Sequence, residues 1–227
     1  MAPLVDEPMA DTRDMYMAHT ALRREFRLLP ELIRSVAPGD TRRADVVGSH
    51  AALVCRVLHT HHEGEDKLLW PKLVERAGVD AEAIVPTMEQ QHHAIDELHN
   101  EVTGRLVAWR STGEDGEALA EALERLLTVL IQHMALEEKE ILPLAAKHVT
   151  AAEWHQLGEH GMENTPKKDL PLVFGMAMYE GDPEVVKAVL ATAPLPVRMI
   201  VPVLGRRRYA AHARQVHGTV RPPRIGS

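Results

Sequence analysis

Four long segments of the chain carry apolar residues at helical spacing, and this pattern restricts the fold more than any other feature of the sequence. The segments run from about residue 11 to 35, 41 to 76, 86 to 109 and 115 to 147. Apolar residues that recur three and four positions apart line one face of a helix. Short links between such segments favour antiparallel neighbours. The pattern therefore predicts an all-α chain built on an up-down-up-down antiparallel four-helix bundle.

A histidine interrupts the apolar stripe of every one of these segments. In order along the chain these histidines are His19, His61, His92 and His133. Two of the segments also carry a glutamate one turn after the histidine and on the same helix face, namely Glu65 and Glu137. A single histidine on an apolar face is usually a core residue with a hydrogen-bond partner, but six polar groups in one core are costly to bury unpaired. We therefore predict a metal site inside the bundle.

An internal repeat places the same candidate ligands on two helices. The stretch HHEGEDKLLWPKL from His61 aligns without a gap with HMALEEKEILPLA from His133. In both copies a carboxylate follows the first histidine at +4, another follows at +5, and a proline follows at +10. The proline of the first copy, Pro71, predicts a kink or an interruption in its helix.

The residue types narrow the choice of metal. Imidazole and carboxylate without thiolate fit iron, manganese or zinc, whereas structural zinc sites usually include cysteines and this chain has only Cys55. A ferritin-like di-iron bundle needs two Glu-x-x-His motifs on separate helices, and only the one from Glu89 to His92 is present. Two bridging carboxylates flanked by histidines indicate a dinuclear site of another kind.

The motifs together resemble the hemerythrin-like, or HHE cation-binding, family. They are MYMAHTALRREF around His19, HHEGEDKLLWP from His61, MEQQHHAIDEL around His92 and HMALEEKEILP from His133, in family order across roughly residues 11 to 148. The resemblance implies a bundle with a non-haem, oxo- or hydroxo-bridged pair of iron ions that handles oxygen or a related oxidant, with manganese or zinc as alternative metals. By position, it implies the four histidines as terminal ligands and Glu65 and Glu137 as bridging carboxylates.

Two departures from the family pattern leave part of this ligand set open. Oxygen-carrying members have a histidine four residues before the position of His92, where this chain has Met88. Simple reversible oxygen carriage therefore does not follow from the resemblance. Oxygen carriers also use the +5 carboxylate of the fourth helix, so Glu138 competes with Glu137, which we favour because the repeat pairs it with Glu65.

Further histidines stand next to the predicted ligands. His62 and His93 would complete the coordination, but each lies about 100° around its helix from the neighbouring histidine. For both, a solvent-facing or outer position is favoured over direct ligation. His50, His59 and His99 are predicted to be at most outer partners that orient ligands.

The remainder of the chain, residues 149–227, differs in charge from the bundle segment 11–148. Residues 1–150 carry a net charge of −10 and residues 151–227 one of +3, within a total of −7. The sequence predicts a helical extension with a disordered tail from about residue 218. The acidic main domain argues against nucleic acid as a partner and the lack of a long apolar run against a membrane. An acidic N-terminus and a single cysteine favour a cytoplasmic location.

Two hypotheses for function follow from the sequence. In the first, the chain is a di-iron protein that binds, senses or consumes oxygen, hydrogen peroxide or nitric oxide. If it is an enzyme, this hypothesis predicts an oxidoreductase that consumes peroxide or nitric oxide. In the second, the chain is a non-enzymatic module in which iron or oxygen status changes how the C-terminal extension docks. The sequence favours no single oxidant and no oligomeric state.

Overall fold

The protein is all-helical in the residues that its computed structural model describes, 7–191 and 193–225. The bundle segments are α1 (Arg13–Arg34), α2 (Thr41–Gly64) with α3 (Trp70–Ala77), α4 (Val79–Thr112), and α5 (Gly116–Leu136) with α6 (Leu142–His148). The extension comprises α7 (Ala151–Glu163), α8 (Leu170–Met178), α9 (Pro183–Val189) and α10 (Leu195–His217). The prediction of an all-α chain is confirmed. Among the described helices, none is both long enough and apolar enough to cross a membrane.

The third bundle segment begins earlier than the sequence predicts. Its helix, α4, starts at Val79 directly after Gly78, whereas Pro86 was the expected start and lies inside the helix. Proline removes one backbone donor and destabilises a helix interior, which is why the sequence favours a boundary there. Asp80 and Glu82 in the first turn are acidic and suit a helix N-terminus.

The four bundle segments pack side by side in the cyclic order α1, α2, α4, α5. In each neighbouring pair, residues early in one segment contact residues late in the other. The contacts are Tyr16–Glu138 and Arg34–Glu117 for α1 with α5, His19–His61 and Glu25–His50 for α1 with α2, Asp45–Arg110 and Asp66–His92 for α2 with α4, and Gln91–His133 and Glu101–Arg125 for α4 with α5. Neighbouring segments are therefore antiparallel.

Both copies of the repeat pass through a π-helical turn directly after their histidines. The turns are Glu65–Leu69 and Glu137–Ile141, and a proline is the second residue of the helix that follows each. The N–H of Trp70 donates to the carbonyl of Glu65, and that of Leu142 to Glu137, five residues back instead of four. Proline has no N–H and its ring clashes with the carbonyl four residues before it, so a widened turn relieves the clash. The interruption predicted at Pro71 takes this form.

A polar layer divides the hydrophobic core of the bundle. One apolar cluster includes Leu22 and Ile95, and the other includes Met15 and Met88. His19 lies between Met15 and Leu22 on α1, just as the α4 histidine lies between Met88 and Ile95. The polar side chains of the bundle are therefore held at one level, with packed apolar residues on both sides.

The extension packs against the bundle. α7 contacts α2, α8 and α9 contact α1, and α10 contacts both α8 and α2. Gly175 and Gly205 meet where α8 and α10 cross, and a Cβ at Gly175 would collide with the Gly205 carbonyl. Arg43 at the start of α2 donates to the carbonyl oxygens of Gln215 and Val216 at the end of α10. These bonds satisfy acceptors that a helix C-terminus leaves without a partner.

The tail, for which the sequence predicts disorder from about residue 218, is described as far as residue 225 and contacts the extension. The Tyr179 hydroxyl donates to the Pro222 carbonyl at 2.9 Å, and the Ile225 N–H donates to Glu180 Oε1 at 2.8 Å. The Arg224 guanidinium lies 4.8 Å from the centre of the Tyr179 ring. Residues 226 and 227 of this tail, and residues 1–6 of the acidic N-terminus, lie outside the described residues.

Candidate metal centre

The polar layer brings all six predicted ligands together, and His62 joins them. They form two groups, one of His62, Glu65, His92 and His133 and the other of His19, His61, Glu65 and Glu137. Within each group, one ligand atom per residue lies within 4.8 Å of all the others. Glu65 belongs to both groups. Every member is buried except His61, whose side chain is 14% exposed.

The distances within each group match those between donors that share one ion. The Nε2 atoms of His19 and His61 are 3.2 Å apart, as are those of His92 and His133. Donors bonded tetrahedrally to one ion at about 2.1 Å lie about 3.4 Å from each other. Glu65 reaches the two groups with different oxygens, since Oε1 is 3.1 Å from His61 Nε2 and Oε2 is 3.5 Å from His92 Nε2. This carboxylate is positioned to bridge two ions.

Glu137 also lies between the two groups. Its Oε2 is 3.3 Å from His19 Nε2 and 3.6 Å from His133 Nε2. These contacts are within ion-pair distance but lack hydrogen-bond geometry, so the buried oxygens of Glu65 and Glu137 have no hydrogen-bond partner. Burying carboxylates in this way costs several kcal/mol for each group unless a cation neutralises them. The donor set therefore fits a pair of metal ions.

Carboxylates at the edge of the layer orient two of the histidines. Asp66 Oδ1 accepts from His92 Nδ1 at 2.7 Å, and Glu138 Oε1 accepts from His19 Nδ1 at 2.9 Å. Glu138 also accepts from Arg23 at 2.7 Å. Asp66 and Glu138 are the +5 carboxylates of the repeat, so both copies use that position in the same way. A histidine whose Nδ1–H is held by a carboxylate presents an Nε2 lone pair to a metal.

Two Nε2 atoms in the layer face each other directly. His133 Nδ1 donates to Gln91 Oε1 at 3.1 Å and His92 Nδ1 donates to Asp66, so both rings turn Nε2 inward, and these atoms are 3.2 Å apart. Burial disfavours the charged form of His92, but its hydrogen bonds to Asp66 and Glu65 outweigh burial and raise its pKa to about 10, so without metal a proton lies between the two nitrogens. His62 stacks on His92 with ring centres 4.2 Å apart, and neither of its nitrogens has a hydrogen-bond partner. A metal ion among the three rings would replace that proton and accept a lone pair from each ring.

Burial and neighbouring charges shift the pKa values in the layer. Burial lowers the pKa of His61 and that of His133 to about 3. Burial, followed by the charge of Glu137, raises the pKa of Glu65 to about 8. At His19 burial disfavours the charged form, but Glu137 outweighs it and the pKa rises to about 9. In the metal-free state the layer therefore retains protons that a bound cation would displace.

The other candidates lie further from the two groups. Glu138 contacts the outer nitrogen of His19, whereas Glu137 lies within the layer. His93 is exposed on α4, in contrast to His62, which is 3% exposed. His99 donates to the carbonyl of Cys55 at 3.1 Å, away from the layer.

Sequence reasoning did not assign roles to Asp66 and Gln91. The signal for Asp66 was present, because the repeat pairs it with Glu138 at +5. Gln91 precedes His92 in α4 and contacts His133 across the bundle, which no local pattern indicates.

Comparison with known proteins assigns the family. A family model described as the hemerythrin HHE cation-binding domain matches residues 10–145. This range extends from α1 into α6 and contains every member of the two groups. Searches of curated proteins and of solved structures found no match. The chain thus belongs to the hemerythrin HHE cation-binding domain family.

Proposed function

We propose that the two groups hold two iron ions and that this centre binds, senses or consumes a small oxidant. His62, His92 and His133 would bind one ion, His19 and His61 the other, and Glu65 and Glu137 would bridge them. The observation that carries the proposal is the facing pair of Nε2 atoms 3.2 Å apart in His92 and His133, each with its Nδ1–H engaged outward. Two imidazoles adopt this arrangement when a cation, either a proton or a metal ion, lies between them. The unpartnered nitrogens of His62 and the unpartnered oxygens of Glu65 and Glu137 beside this pair favour the metal ion.

The ligand types support iron over zinc. All donors are imidazole nitrogens or carboxylate oxygens, and two carboxylates are shared, whereas structural zinc sites are usually closed tetrahedra that include thiolates. Manganese has similar ligand preferences and is the main alternative. When bound, a pair of iron ions supplies the redox chemistry for oxygen, hydrogen peroxide or nitric oxide.

The residues around the centre would determine how an oxidant reaches it and where a proton is kept. His61 is the member most exposed to solvent, so an oxidant would approach from the group that contains His19 and His61. Glu138 beside that group is 19% exposed and keeps the proton on His19 Nδ1. The two apolar clusters lie on both sides of the layer along the bundle. At the edge next to His92, Asp66 is 45% exposed. Access to the centre would therefore be limited to the edges of the layer.

Metal analysis and visible spectroscopy test the proposal. Protein purified with and without oxygen is analysed for metals, and its spectrum is recorded before and after addition of hydrogen peroxide. We expect two irons per chain and iron charge-transfer bands that change when peroxide is added. If the protein is an enzyme, peroxide is consumed over many turnovers. If it is a sensor, the bands change but peroxide is not turned over. Zinc, or no metal after reconstitution with iron, would contradict the proposal.

A regulatory role is the second candidate, because the extension contacts the metal-binding helix. α7 packs on α2 and on the first π turn. A Cβ on Gly64, the residue before Glu65, would lie 3.2 Å from the His160 ring, and His160 Nε2 is 3.3 Å from Glu63 Oε2. Movement of Glu65 on metal binding would therefore reach α7.

Hydrogen exchange distinguishes this second candidate. We expect the amides of α7 to exchange more slowly with iron than without it if the extension responds to the centre. Equal exchange in α7, together with slower exchange in α2 and α5, would leave the metal centre intact and count against regulation through the extension.

A further inference from the structure

A second buried cluster of ionisable groups lies where α10 packs on α1 and α2. It consists of Glu25 on α1, His50 on α2 and His217 at the end of α10, whose side chains are 0%, 0% and 5% exposed. Glu25 lies about 9 Å along α1 from His19. The cluster is therefore separate from the polar layer of the metal centre.

The two carboxylate oxygens of Glu25 have unlike surroundings. Oε1 accepts from Arg24 Nη2 at 2.7 Å, from Arg24 Nε at 3.0 Å and from the Tyr209 hydroxyl at 2.9 Å. Oε2 has no hydrogen-bond partner, and neither have the Nε2 atoms of His50 and His217. These nitrogens lie 3.3 Å and 3.7 Å from Oε2. Three buried donor atoms thus face one another without a hydrogen bond among them.

The spacing of these three atoms suits one metal ion. All three lie within 4.8 Å of one another, and the two nitrogen–oxygen distances lie on either side of the roughly 3.4 Å expected for donors around a tetrahedral ion. His212 Nε2 lies 3.1 Å from His50 Nδ1. The His50 Nδ1–H can donate to this nitrogen. This outer hydrogen bond leaves the His50 Nε2 lone pair free for a metal.

Arg24 beside the cluster is shared between two carboxylates. It donates to Glu180 Oε2 at 2.8 Å and to Glu25 Oε1 at 2.7 Å. Its donors therefore satisfy Oε1 of Glu25, and Oε2 is the oxygen that faces the two histidines.

We infer that Glu25 Oε2, His50 Nε2 and His217 Nε2 form a separate site for one divalent transition-metal ion such as zinc. Two histidines and a carboxylate are a ligand set that zinc and ferrous iron both accept. His217 belongs to the extension, whereas the other two ligands belong to the bundle. An ion at this site therefore links α10 to α1 and α2, and makes the docking of the C-terminal helix depend on metal.

Zinc binding by the whole chain tests this site. Wild type, His217→Gln and the control His155→Gln, whose histidine is 48% exposed on α7, are equilibrated with zinc, freed of unbound metal and analysed for total metal per chain. We expect His217→Gln to bind one ion fewer than the other two proteins. Equal counts in all three overturn the inference. Because the result is a difference between variants, it does not depend on whether the dinuclear centre takes iron.

Hydrogen exchange in α10 provides a second readout. At a zinc concentration 100 times the dissociation constant, metal-linked docking should slow exchange in α10 by up to about 100-fold in wild type. The same zinc should leave exchange in His217→Gln unchanged. Zinc-independent exchange in wild type would overturn the inference.

Diffraction from wild-type crystals covers the case in which the variant does not fold. An anomalous peak at the zinc edge within about 2.2 Å of Glu25 Oε2 and the two Nε2 atoms is the expected result. Zinc-soaked crystals without a peak at this place would overturn the inference.

Discussion

The two copies of the repeat form the same local structure but contribute unequally to the metal centre. Each copy places its first histidine and +4 glutamate in the polar layer, uses its +5 carboxylate to orient a histidine of another helix, and ends in a π turn. The copies differ at +1, where the first has His62 and the second has Met134, both buried. His62 joins a candidate metal-binding group, whereas Met134 joins the apolar core.

This difference accounts for the unequal composition of the two candidate groups. One group has three histidines and the other has two, and the additional histidine is His62 of the first copy. The glutamates differ as well. Glu65 reaches the two groups with separate oxygens, whereas Glu137 approaches both with Oε2. The two candidate groups therefore differ in their +1 side chain and in how the carboxylates approach them.

The largest effect is expected from removing the shared carboxylate. Glu65→Gln should abolish binding of both ions, because Glu65 belongs to both groups, whereas Glu137→Gln should retain the ion of the three-histidine group. Iron counts per chain for the two variants and for the half-exposed control Glu140→Gln, whose side chain pairs with Lys139 outside the layer, measure this difference. Equal losses in the Glu65 and Glu137 variants would show that the two glutamates are equivalent.

The next largest effect is expected from giving the first copy the +1 residue of the second copy. His62→Met is expected to lower the affinity of the three-histidine group for its ion by more than about 100-fold, which exceeds the usual effect of an outer partner. His93→Met, next to His92 but exposed, is the matched control and should bind two ions. Unchanged iron binding in His62→Met would mean that His62 only fills space.

The outer carboxylates should give smaller effects of similar size in both copies. Asp66→Asn and Glu138→Gln each remove the charged acceptor on a histidine Nδ1, so each should weaken metal binding by about 10- to 100-fold. The Asp66 change should affect the three-histidine group and the Glu138 change the other, as separate phases in an iron titration. If both variants weaken the same phase, the assignment of each carboxylate to its own group is wrong.

The smallest effect is expected on the free energy of unfolding, from the ion pair that joins α3 to the extension. Arg76 in α3 binds both carboxylate oxygens of Glu153 in α7 at 2.7 Å, and this hydrogen bonding lowers the pKa of Glu153 from 4.5 to about 2. The ion pair therefore contributes stability above about pH 5 that is lost as the pH falls toward 2. Glu153→Gln retains a side chain suited to the α7 capping box and should cost about 1 kcal/mol at pH 7 after solvent screening.

Denaturant unfolding of wild type and Glu153→Gln between pH 7 and pH 3 measures this contribution. The stability difference should shrink as the pH falls. A difference that stays constant over this range would assign the effect to packing of the side chain and not to its charge.

Much of the bundle and most of the candidate ligand set could be predicted from local sequence patterns. A histidine in an apolar stripe must face the core, and helix geometry puts a +4 glutamate beside it, so His19 and Glu65 followed from spacing alone. The π turns followed in part from Pro71, because a proline ring displaces the usual hydrogen bond. These features depend on residues close together in the chain.

The predictions that failed or were missing depend on contacts between distant segments. The solvent-facing position expected for His62, which lies 100° from His61, is wrong because α2 packs between α1 and α4 and His62 is 3% exposed. His61 therefore faces His19 on α1 while His62 stacks on His92 of α4. Whether His62 is a ligand or an outer partner stays a prediction. The cluster with His217 likewise exists only because α10 folds back onto the bundle, which no local spacing indicates.

Anomalous diffraction at the iron edge, from crystals of iron-loaded protein, tests the central claim most directly. The account predicts two iron peaks about 3.5 to 4 Å apart, one next to the Nε2 atoms of His92 and His133 and the other next to those of His19 and His61, with Glu65 between them. A single peak, or none in the polar layer, would contradict it.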